Sequence, residues 1–240
     1  MITTARNIAG AFGLVAGYAL KVRPRLLRWG ATDEEVRLPY PGDRLVPHGG
    51  RGATMGITID AAPAQVWCWL VQMGCDRAGW YSWDLLDNGG VPSAERIHSE
   101  WQEISIGQHV SSSPSGKSWF EVAAVEPHRF LALRASYDLL GRPFDPAGPR
   151  PSHYTDSVWC FRLEEMPGNR TRLVVSSYTS ARPRLVQAIQ NFVFWEPAHW
   201  IMQTRQFANL ERRIDEVESA PRRLLGRPER DNRAVTSGRT

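Results

Sequence analysis

"FWEPAHWIMQTRQFANLERRIDE", residues 194–216, reads as the body of a long helix near the end of the chain, and it carries a carboxylate where none is expected. With a helix running from about Pro183 to Val217 and about 100° per residue, one stripe collects Leu185, Ile189, Phe192, Val193, Trp200, Phe207, Leu210 and Ile214. Glu196 falls at the centre of that stripe, Gln203 beside it and His199 at its edge. A polar group on a buried face costs several kcal/mol unless it is paired or wet. Three readings of Glu196 follow. It forms a buried ion pair with one of the many arginines or sits near a helix kink at Pro197; it faces a solvated or ligand-filled cavity; or the assumed phase of the helix is misplaced.

Upstream, the pattern is that of strands. "SWFEVAAVEP" and "HRFLALRAS" predict one antiparallel pair, turning at Glu126-Pro127-His128. "DSVWCFRLEEM" and "RTRLVVSSYTS", separated by Pro-Gly-Asn, predict a second. The Pro/Gly-rich "DLLGRPFDPAGPRPSHYT" between them is a long loop, of the kind that is usually functional or mobile. Nearer the start, "TMGITID" alternates as a half-buried strand does. Pro63 then opens a helix, where its missing N–H costs nothing, and Gly74 stops it. "AGWYSWDLLDNGG" reads as a short aromatic helix ended by Asn-Gly-Gly.

This order of elements resembles the START-like SRPBCC superfamily, and within it the polyketide cyclase/dehydrase and lipid-transport group. "ITIDAAPAQVWCWLVQMG" matches its opening strand and helix, and "FEVAAVEPHRFLALRA" its central hairpin. "VWCFRLEEMPGNRTRLVVSSYTS" and the terminal helix match its closing elements. "LRWGATDEEVRLPYPGDRLVP" looks like the lead-in of a bacterial subgroup. The resemblance covers roughly residues 50–217. It implies an α+β helix-grip fold, in which a curved antiparallel sheet wraps a long C-terminal helix and leaves an internal apolar cavity. It also implies a hydrophobic ligand, lipid-like or polyketide-like. Fold alone confers none of the superfamily's activities.

The expected organisation is an apolar and basic N-terminal segment (1–28), a lead-in linker (29–49), a ligand-binding domain (50–218) and a disordered basic tail (219–240). The overall charge of +4 hides a strong asymmetry. Residues 1–28 carry +5 from Arg6, Lys21, Arg23, Arg25 and Arg28, and the tail +4 from six arginines against Glu229 and Asp231, which leaves −5 for the body. A nucleic-acid binder needs its basic face on the domain itself, which argues against that class. "IAGAFGLVAGYAL", residues 8–20, is shorter than the ~20 residues that span a bilayer. It could be a signal peptide, an interfacial anchor holding the domain at the cytoplasmic face of a membrane, or a packed helix. The three cysteines and six histidines lack metal-ligand spacing, and no phosphate-cradling loop or nucleophile elbow occurs, so no metal or cofactor is expected.

The candidate ligand-binding residues come from the elements expected to bound the cavity. The short aromatic helix supplies Trp80, Tyr81 and Trp83, with Asp84 beside them; the following stretch supplies Trp101 and Trp119. The long helix supplies Glu196, His199, Trp200 and Gln203. Each aromatic can equally be ordinary core. If the protein is an enzyme of the cyclase or dehydratase type, Glu196 and His199, three apart on a helix, are the expected acid–base pair. Non-catalytic binding of a hydrophobic molecule is the favoured expectation; a membrane-tethered interaction protein is the remaining class.

Overall fold

A computed structural model describes residue 13 and residues 15–225, with side chains described to residue 217. Six strands form one antiparallel sheet in the order β1-β6-β5-β4-β3-β2. They are β1 (Gly50–Ile59), β2 (His109–Ser111), β3 (Trp119–Glu126), β4 (Phe130–Asp138), β5 (Tyr154–Met166) and β6 (Arg170–Arg182). Both hairpins occur where alternation places them. The tight turn between β5 and β6 puts Asn169 at φ 57°, a conformation asparagine tolerates better than most residues.

Among the described residues the α-helices include α1 (Arg23–Leu27), α2 (Asp33–Arg37), α3 (Pro63–Val71), α4 (Asp84–Asp87), α5 (Arg184–Gln190) and α6 (Glu196–Leu225). Helix α3 starts at Pro63, with Gln65 Oε1 accepting the Ala62 N–H at 2.8 Å to close the first turn. The concave face of the sheet buries Met55, Leu131, Leu133, Phe161, Leu173 and Val175 against α3 and against Phe207, Leu210 and Ile214 of α6. A 30-residue helix gripped by a curved antiparallel sheet is the helix-grip α+β arrangement.

Three features differ from the sequence expectations. The long helix is interrupted by a π-helical turn, Asn191–Trp195, between α5 and α6. Pro197 has no N–H to donate, and widening the preceding turn accommodates its ring. The extra residue in that turn rotates everything upstream by about 100° relative to α6. Leu185, Ile189 and Val193, placed on the buried stripe by unbroken phase, therefore stand 72%, 56% and 69% exposed. A second π turn, Tyr18–Val22, precedes Pro24 in the same way.

The segment 29–49, expected as a linker, packs onto the convex face of the sheet. Tyr40 is buried there and donates its hydroxyl to the Val174 carbonyl at 2.5 Å. Gly42 lies so close to Cys160 Sγ that a Cβ would overlap it. Glu35 binds Arg172 at 2.7 and 2.8 Å and also completes the capping box of α2 through Thr32. At the other end, the backbone of α6 runs on to Leu225, so the first residues of the expected disordered tail are helical. The rest of that tail, and residues 1–12 and 14 of the N-terminal segment, lie outside the described residues. No helix among the described residues is long and apolar enough to cross a membrane.

Candidate ligand cleft between the long helix and the sheet

The concave face of the sheet has two unlike halves. Where α3 and the later turns of α6 cover it, the inward side chains are large and apolar and mostly fully buried. Beyond Leu133, Trp159 and Val175 the same alternation brings up Ala135, Tyr137, Thr155, Ser157, Ser177 and Thr179, all only partly buried and, apart from Tyr137, all small. Above this half run α5, the π turn and the first turns of α6. Every residue from 184 to 202 keeps some exposure; Gln203 is the first to be fully buried. Small residues lie below this stretch of helix, and Thr155 Oγ1 reaches Gln187 Oε1 at 3.2 Å across one end.

An aromatic cluster stands where the two halves meet. Trp159 lies 5.7 Å from Trp80, 4.6 Å from Phe161 and 6.1 Å from Phe120 between ring centroids, and His199 meets it edge-on at 6.3 Å. Phe120 and Trp159 keep partial exposure although both point into the grip. Burial pushes the His199 imidazole down to about 4, so it is neutral at pH 7. Behind the cluster, Trp159 Nε1 donates to Gln203 Oε1 at 3.2 Å. Gln203 Nε2 donates to Gln206 Oε1 at 2.8 Å, and Gln206 Nε2 to the Trp80 carbonyl at 2.9 Å. The polar groups of the buried stripe are thus a connected relay. By contrast, the Trp200 indole N–H is buried with no hydrogen-bond partner among the described residues.

The sequence candidates separate into groups. Trp80, His199 and Gln203 meet at the cluster, and Trp200 packs beside it against the same core. Glu196 turns away: Arg23 donates to its two carboxylate oxygens at 2.5 and 2.8 Å. It therefore makes the ion pair that the first reading anticipated. The expected Glu196–His199 pair is not formed, because the acid is held by the N-terminal helix and the imidazole faces Trp159. Trp80 and Tyr81 are not on a helix, since Tyr81 has φ 58° and α4 begins only at Asp84. Tyr81 is fully buried, accepts from Gln72 Nε2 at 2.7 Å and lies beneath the Arg213 guanidinium. Trp83 is exposed under Arg205, Trp101 stacks on His98 at 4.5 Å, and Asp84 accepts from the Ser93 hydroxyl and N–H.

Trp119 belongs to a different place. It shares the convex face with Glu121 and Arg134 and stacks on His109 at 4.9 Å. There it lines an open depression of about 600 Å³ between Leu45, Pro47 and the β4–β5 loop. Trp159, Phe120 and the small residues of the cleft floor went unselected in the sequence. Period-two alternation through Thr155, Ser157, Trp159, Phe161 and Leu163 was the signal for them. Among the described residues no group of three or more His, Cys, Asp or Glu could hold a metal ion.

A scan against protein-family models gives no match, and neither does a search of curated proteins. Similar solved structures include MLL2253 from Mesorhizobium loti, 21% identical with a TM-score of 0.35 over 68% of this chain and 97% of its own. A solution structure from Arthrobacter aurescens is 15% identical with a TM-score of 0.40, over 71% of this chain and 92% of its own. CalU16 from Micromonospora echinospora is 17% identical with a TM-score of 0.33, over 71% and 94%. At these identities and TM-scores the likeness carries no argument about ligand, activity or partner.

Proposed function

We propose that this chain binds a largely apolar small molecule, lipid-like or polyketide-like, in the cleft between the raised part of the long helix and the small-residue half of the sheet. One observation carries the reading. Trp159 and Phe120 point into the grip yet keep solvent contact, over a floor of Ala135, Ser157 and Thr179 that fills little of the space. Exposed aromatic surface in a concave site is the usual lining of a small-molecule pocket. The hydroxyls of the floor and the neutral His199 suit a ligand with one polar end. The resemblance to START-like proteins points the same way.

The enzyme reading has less support. A cyclase or dehydratase needs a base with a tuned pKa at the reacting proton. Glu196 is held by Arg23, and an imidazole pushed down to about 4 is a weak base.

Displacement of a fluorescent fatty acid tests the binding reading. The wild-type chain should bind cis-parinaric acid with a Kd of roughly micromolar order, and Ala135→Trp, which fills the floor, should weaken binding at least about tenfold, or about 1.4 kcal/mol, without lowering the melting temperature. A folded Ala135→Trp variant that binds as well as wild type refutes the cleft.

A further inference from the structure

The outer side of the same helical stretch is unusually apolar for a solvent-facing surface. Leu185, Ile189, Val193, Phe194 and Trp195 are between 56% and 72% exposed. The N-terminal helix runs alongside in the same direction: Tyr18 lies against Phe192 at 5.0 Å, Arg23 against Glu196, and Trp29 against Phe207 at 6.0 Å. It adds Leu20, 77% exposed, and Val22, 45% exposed. The row Asp138–Tyr154–Arg182 places the loop after β4 at the same end of the sheet, where Leu139 and Leu140 are exposed. Exposed apolar side chains in this number are a feature of interaction surfaces.

The charge around it selects the partner. Lys21, Arg25, Arg182 and Arg184 are all exposed and flank the apolar residues. Between residues 180 and 210 the only acid is Glu196, and it is already neutralised by Arg23. An exposed tryptophan at the edge of an apolar helix face, ringed by cations, is complementary to the boundary of an anionic bilayer. A symmetric contact with a second copy would instead bring two sets of these cations together.

We propose that the stretch 185–195, together with Leu20 and Val22 of the neighbouring helix, is a docking surface for an anionic lipid bilayer. The helix lies in the interface plane, with Phe194 and Trp195 entering the headgroup region and the four cations contacting lipid phosphates. Gln187 reaches Thr155 of the sheet, and at about 100° per residue Leu185 and Ile189 stand on the opposite side of that helix, away from the proposed cleft. The two readings therefore stand or fall separately.

Flotation of the full chain with vesicles of phosphatidylcholine, with and without phosphatidylserine, tests the proposal. The chain should float with the anionic vesicles, and less so as salt is raised. Phe194→Glu combined with Trp195→Glu should reduce the bound fraction about tenfold, and Arg182→Glu combined with Arg184→Glu should do the same. Both positions in each pair are exposed, so the melting temperature should not change, and cis-parinaric acid binding should not change in the Arg182/Arg184 variant. Equal flotation of wild type and either double variant overturns the proposal, as does failure of wild type to float or equal binding to neutral vesicles. So does a wild-type dimer in sedimentation velocity that the Phe194/Trp195 variant splits, since that result assigns the ridge to self-association.

Discussion

Arg23 closes on both carboxylate oxygens of Glu196, so the acid in the middle of the long helix belongs to a clasp between two helices. Arg23 is 38% exposed and Glu196 14%, which limits the worth of the pair to about 1 kcal/mol. Glu196→Gln should therefore lower stability in urea by about that amount and leave fatty-acid displacement unchanged. Arg23→Ala should cost a similar amount, and the double variant little more than either single one. Loss of ligand binding in Glu196→Gln with stability intact would return the acid to the site.

Gln203 stands in the interior relay as acceptor from Trp159 and donor to Gln206. Leucine has nearly the same volume but neither function. Gln203→Leu should orphan the Trp159 indole N–H and the Gln206 Oε1, at about 1–3 kcal/mol. Chemical denaturation measures it. An equally stable variant would show that the relay is replaceable by apolar packing.

Protonation gives opposite slopes at two positions. His199 is pushed down to about 4 from an ordinary 6.5, so the unfolded chain binds the proton more tightly. Its contribution is fully present above about pH 6.5 and is lost as pH falls toward 4, by at most about 3 kcal/mol because the residue keeps some solvent contact. Burial raises Asp87 to about 6, which works the other way. That carboxyl favours the fold below about pH 3.8 and loses the contribution as pH rises through 6. In melts across pH 4 to 8, His199→Phe should flatten the acid-side decline. Asp87→Asn should stabilise the fold above pH 6 and change little near pH 4. Parallel profiles for either variant and wild type would remove that group from the account.

On the convex side, Asp156 is fully buried and receives Arg134 at 2.8 and 2.9 Å, Arg150 at 2.9 Å and the Ser136 hydroxyl at 3.0 Å. Removing one partner of a buried pair leaves the other uncompensated, and Asp156→Ala should cost about 3–5 kcal/mol. The melting temperature should fall by many degrees.

The strand pairs and the opening helix were legible because each rests on local pattern: alternation in β3 to β6, proline at the start of α3, a Pro-Gly-Asn turn. The phase of the long helix was not. A uniform 100° per residue cannot register the turn at Asn191–Trp195, and one added residue was enough to carry Leu185, Ile189 and Val193 to the surface. Glu196 was correctly singled out as needing explanation. Its partner lies 173 residues away, and nothing in sequence distinguishes Arg23 from the other arginines. The aromatic cluster escaped for a related reason: β5 does alternate, but only its neighbours in the sheet show that Ser157 and Ala135 leave space beside Trp159.

Gly42 resting against Cys160 has a chemical consequence. The thiol is sealed beneath the stretch that crosses the back of the sheet, and burial pushes it up to about 12, where almost no thiolate forms. Oxidants and alkylating reagents act on thiolate, so this cysteine is inert for as long as that stretch stays down. Peeling it away would create a reactive sulfur, and the rate of labelling at Cys160 would then be a direct clock for how often the strap lifts.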